Sequence, residues 1–70
     1  MNEIDETPVA REAWNEGPQL FIQWRIGGPL MVGATLFLKS EERAQEAARF
    51  IRDNGVRLSP DAVRRLASNF

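Results

Sequence analysis

The chain contains no cysteine and no histidine. Without cysteine there is no disulfide, no thiolate–zinc site and no cysteine nucleophile. Without histidine, the commonest metal ligand and the commonest general base are both missing. A long apolar run is absent too, since nothing in the sequence approaches the ~20 residues a membrane-spanning helix needs. The first six residues, Met-Asn-Glu-Ile-Asp-Glu, are acidic, the wrong sign for a signal or transit peptide. Together these absences predict a cytoplasmic protein with no membrane, metal or cofactor requirement.

Seventy residues allow one domain. A chain of that length buries only roughly 60% of the surface its unfolded form exposes, so it is marginal without assistance. Disulfides and metals being unavailable, self-association is the remaining aid, and a homodimer is expected. A large excess of either charge is also lacking. Nine cations face ten acids, for a net charge of −1, which argues against a main role in neutralising phosphates. The charges are unevenly spread: residues 1–38 are acidic on balance, and residues 39–70 mildly basic. Ordinary solvated faces account for most of this. The preference for arginine over lysine, with many alanines, points to a GC-rich coding genome, bacterial or phage.

What is present is hydrophobic alternation. Leu20, Ile22, Trp24 and Ile26 alternate with Phe21, Gln23 and Arg25, the period of a strand. Gly27-Gly28-Pro29 interrupts, and Leu30 to Leu38 forms a second run rich in strand formers. A three-residue loop at 27–29 sets Ile26 opposite Leu30, Trp24 opposite Val32, Ile22 opposite Ala34 and Leu20 opposite Leu36. One face is then wholly apolar, whereas a two-residue loop mixes polarity on both faces. Because a one-residue slip turns over every side chain, burial selects the odd-length loop.

Helix signals flank this hairpin. Ser40 with Glu41 and Glu42 opens a helix through residue 54, its stripe being Ala44, Ala47, Ala48 and Ile51. Gly55 supplies the stop. Ser59-Pro60-Asp61 opens a second helix over 60–69, with Leu58 and Val63 placed as a staple and Ala62, Val63, Leu66, Ala67 and Phe70 as the buried stripe. Thr7-Pro8 and Gly17 bracket Val9, Ala10, Ala13 and Trp14 at helical spacing, predicting a short helix over 8–15. The expected fold class is therefore α+β. A two-stranded antiparallel hairpin, 19–26 and 30–38, packs on helices 41–54 and 60–69 in the order (α)ββαα. Residues 1–6 are expected to be a mobile acidic tail, and 7–70 the domain.

No constellation for catalysis emerges. Glu41-Glu42 is explained by the helix N-terminus, and Glu46 and Asp53 lie on a polar arc among arginines. Gly27-Gly28-Pro29 opens no helix, so phosphate-cradling loops do not apply. The chain is expected not to be an enzyme.

The C-terminal half, strand, helix, Asn54-Gly55 and helix, resembles in outline the strand–helix–helix of ribbon-helix-helix repressors. The resemblance covers about half the chain and rests on the gap from Gly55 to Ser59 and the apolar spacing after it. It implies a dimeric ribbon reading DNA with outward residues, here Gly33, Thr35, Phe37 and Lys39, beside a hydrophobic hairpin strand that such repressors lack. Arg57, Arg64 and Arg65 are the candidate contacts to nucleic acid or to an acidic partner.

The residue types point more directly to protein recognition. The hairpin's second face carries Phe21, Arg25, Met31 and Phe37, types enriched at interface centres. The N-terminal helix, a second copy or a foreign partner can each cover that face. The expected function is a non-enzymatic protein–protein interaction module. In its specific form it is a small regulator or inhibitor, homodimeric, and phage-encoded against a host complex. The alternative is a DNA-binding regulator or antitoxin.

Overall fold

The computed structural model describes residues 8–27 and 30–70, with backbone alone for 25–27, 30 and 31. Five strands and two helices follow in the order β1 (Val9–Ala10), β2 (Glu12–Glu16), β3 (Gln19–Gly27), β4 (Leu30–Phe37), α1 (Glu41–Asn54), β5 (Val56–Arg57) and α2 (Pro60–Asn69). The class is α+β, as the sequence predicts. The order is not (α)ββαα, and the difference begins at the N-terminus.

The segment 8–15, expected as a helix, instead contributes strands β1 and β2. β2 pairs antiparallel with β3, setting Glu16 opposite Gln19, Trp14 opposite Phe21 and Glu12 opposite Gln23. The signals that suggest a helix serve the hairpin equally well. Gly17 has φ 59°, a backbone that a helix stop and the first corner of a two-residue hairpin turn both use. Pro18 follows as the second corner, and the Asn15 side-chain amide donates to the Gly17 carbonyl at 3.1 Å. A helix of under three turns has little stability of its own. A third strand, by contrast, satisfies its backbone on β3 and buries Ala13 beneath α1. Thr7, the cap of the expected helix, and the acidic segment 1–6 lie outside the described residues.

The three-stranded sheet has the order β2-β3-β4. Its β3–β4 register follows the apolar alternation, with Leu20 opposite Leu36, Ile22 opposite Ala34 and Trp24 opposite Val32. The loop end differs from expectation: Gly27, not Ile26, stands opposite Leu30, with an irregularity between Arg25 and Gly27. A bulge adds one residue to one strand, so a shorter connection still delivers the register that the buried face requires.

The helices begin where their caps predict. The Ser40 hydroxyl accepts from the Arg43 N–H at 3.2 Å, and the Ser59 hydroxyl accepts from the Ala62 N–H at 3.3 Å. At the end of α1 the Gly55 N–H donates to the Ile51 carbonyl at 2.7 Å. Gly55 has φ 81° and ψ 163°, a region open essentially to glycine alone. The turn sends the chain into β5, which pairs with β1 as a separate two-stranded ladder, and the Leu58 N–H donates to the Pro8 carbonyl at 3.0 Å.

One side of the sheet is covered by helix. Ala47, Ala48 and Ile51 of α1 lie against Ala10, Ala13, Leu20 and Ile22, with Val56 and Leu66 completing the cluster. Alanines on α1 permit close approach. Leu20, Ile22 and Ile51 are the largest fully buried side chains, each worth about 1.5–3 kcal/mol of transfer free energy. Helix α1 sits over β2 and β3 rather than over the β3–β4 hairpin. Trp24 and Leu36 are only partly buried against the core, and Val32 is 38% exposed.

Candidate functional site

Strand alternation divides the sheet's side chains between two faces. Ala13, Leu20, Ile22, Trp24, Ala34 and Leu36 face the helices. On the outer face, register forms three rows across β2, β3 and β4: Glu16, Gln19 and Phe37; Trp14, Phe21 and Thr35; Glu12, Gln23 and Gly33. Trp14 and Phe21 stack with ring centroids 5.3 Å apart and an interplanar angle of 13°. Trp14 is 39% exposed and Phe37 is 77% exposed. Beside the stacked pair lies a shallow depression of about 290 Å³, walled by Trp14, Phe21, Gln23 and Thr35.

Gly33 shapes this depression. A methyl group on Gly33 would overlap the Ile22 carbonyl oxygen. The backbones of β3 and β4 approach too closely there for a side chain, and the face is left hollow beside the aromatic pair.

Of the four expected partner-contact residues, the structure brings Phe21 and Phe37 onto this face, in adjacent rows. Arg25 and Met31 stand opposite each other in the β3–β4 ladder, and their side chains lie outside the described residues. Trp14 is the residue that sequence reasoning misplaces: it is expected on a short helix, one of three possible covers for this face, whereas it lies on β2 and belongs to the face itself. The signal available was Gly17-Pro18, a two-residue turn immediately ahead of a period-2 run.

The candidate nucleic-acid contacts lie elsewhere. Arg57 is on β5, and Arg64 and Arg65 are exposed on α2. Arg64 Nη1 stands 3.7 Å from Asp61 Oδ1, one turn earlier on the same helix, with both side chains largely in water. Between the two helices the structure inserts β5, and β4 is the third strand of a sheet rather than a lone ribbon strand. Among the described residues, no three acidic side chains gather where they could hold a metal ion. No helix there is long and apolar enough to cross a membrane.

The chain matches no family model, and no curated protein or solved structure is significantly similar to it.

A stacked tryptophan and phenylalanine offer a rigid apolar platform, and residues of this type dominate binding energy where they become fully desolvated. Glu12, Glu16, Gln19 and Gln23 surround the platform with polar and acidic groups. The face thus has an apolar centre inside a polar rim.

Proposed function

We propose that the protein is a non-enzymatic interaction module, a small regulator or inhibitor that binds another protein through the outer face of its sheet and acts as a homodimer. The observation that carries this reading is the stacked Trp14–Phe21 pair, standing on the sheet face that the helices leave open, with Phe37 exposed in the next row. The acidic rim of Glu12 and Glu16 favours a partner surface on which apolar groups are bordered by cations. A phage protein acting on a host complex is one form this activity takes.

The test compares the wild-type chain with Phe21→Ser and Phe37→Ser in capture from bacterial lysate, each variant first checked for native circular dichroism. Folded variants that lose the captured protein support the reading. Unfolding of both variants would make the face core and remove its basis. The competing class, a DNA-binding regulator or antitoxin using Arg57, Arg64 and Arg65, is distinguished by duplex DNA titration at increasing salt. Micromolar binding that weakens steeply with ionic strength, and is lost on neutralising those arginines, replaces the proposal with that alternative.

A further inference from the structure

The two edges of the main sheet are treated differently. Across β2, Ala13 stands opposite Ile22, and the Ala13 carbonyl turns away from β3 towards the outer edge. Arg52 of α1 reaches over and donates to that carbonyl at 2.9 Å. Glu12 and Glu16 place two acids on the same short strand. Charge on a short strand with a capped carbonyl is how proteins block edge-to-edge pairing.

Strand β4 has none of these protections among its described features. The Leu38 N–H donates to the Pro18 carbonyl at 2.9 Å, which fixes the alternation: even-numbered residues of β4 bond towards β3. The N–H and C=O groups of residues 31, 33, 35 and 37 consequently point to the open edge. From Leu30 to Leu38 the sequence carries no charge and no proline. Helix α1 is displaced towards β2, so Val32 stays 38% exposed beside this edge, and Ala34 and Leu36 are only partly covered.

We infer that β4 is the homodimer interface: two copies join β4 to β4 antiparallel, forming one continuous six-stranded sheet. This deepens the homodimeric part of the proposed function and leaves the outer face for the foreign partner. A second copy fits because the uncharged run is centred on Ala34. A two-fold axis there sets Thr35 opposite the partner's Gly33 and pairs the outward groups of residues 31–37 throughout. No like charges are brought together, whereas pairing β2 with itself would oppose glutamates. The same join sets the exposed Val32 beside the partner's Leu36 and extends a small core across the axis.

The test is sedimentation equilibrium of the full chain from micromolar to several hundred micromolar, on wild type, Thr35→Pro and Trp14→Ser. Thr35→Pro removes an outward N–H while leaving the Ala34 and Leu36 bonds to β3. Wild type should reach twice its 7.9 kDa mass, Thr35→Pro should stay at the monomer mass with native circular dichroism, and Trp14→Ser should still dimerise. Amide exchange on wild type decides the matter should Thr35→Pro unfold: Gly33 and Thr35 amides should be protected at high concentration and exchange fast on dilution. A wild-type monomer throughout overturns the inference. So does a dimer that folded Thr35→Pro leaves intact, or one whose Gly33 and Thr35 amides exchange freely. Trp14→Ser that dimerises yet loses lysate capture keeps both proposals. Dimerisation with no captured partner that depends on Trp14 overturns the outer-face reading alone.

Discussion

Trp14 lies flat against Phe21, 5.3 Å between centroids, although the two residues sit on different strands and only their cross-strand register brings them together. Paired aromatics contribute about 0.5–1.5 kcal/mol beyond the area they bury. Trp14→Ala is expected to lower unfolding free energy by about 1–2 kcal/mol, since the indole is already partly in water. Urea denaturation followed by circular dichroism measures it. An unchanged midpoint would mean that the stack does not support β2.

Arg52 couples α1 to the edge of β2 through the Ala13 carbonyl. A charge-assisted hydrogen bond is worth more than a neutral one, but this side chain is exposed and water competes for it. Arg52→Ala should therefore destabilise by only about 1 kcal/mol. The more telling readout is solubility, because the variant uncaps one edge of the sheet. Faster aggregation than wild type at equal fraction folded is the expected result.

Gly33→Ala distinguishes a required glycine from an incidental one. In an unremarkable strand position, replacing glycine with alanine stabilises by reducing the freedom of the unfolded chain. Here the added methyl meets the Ile22 carbonyl oxygen, and separation of the strands should cost about 1–3 kcal/mol. The sign of the change in denaturation midpoint decides between the two.

Gly55→Ala combines two penalties. Its φ of 81° and ψ of 163° fall where side chains are strained by about 1–3 kcal/mol. The new Cβ also stands 2.7 Å from Val9 Cγ1. Adding Val9→Ala should recover the steric part and leave the backbone part. Recovery of the full wild-type midpoint would show that backbone strain is absent.

How much of this was legible in the sequence varies by element. Both helices were readable to the residue, because Ser40, Ser59, Pro60 and Gly55 act within one turn of their own positions. The β3–β4 register was readable from polarity, since only one parity sets Ala34 and Leu36 on the same face as Leu20 and Ile22. The N-terminal segment was not. Val9, Ala10, Ala13 and Trp14 satisfy helical spacing, and Gly17 ends a helix or begins a hairpin with the same positive φ. Local chemistry left those outcomes nearly balanced. Docking against β3 and α1 separates them, and that is an interaction between residues far apart in the chain.

The sequence by itself determined the α+β class, the helix boundaries and a sheet with one apolar face, because capping and period-2 alternation are local properties. Only the tertiary structure decided that a third strand occupies the N-terminal half and that Trp14 joins Phe21 on the outer face. It alone shifted α1 off β4. Each of those depends on which surfaces compete for the same apolar area, and that competition is settled only when all the elements are packed at once.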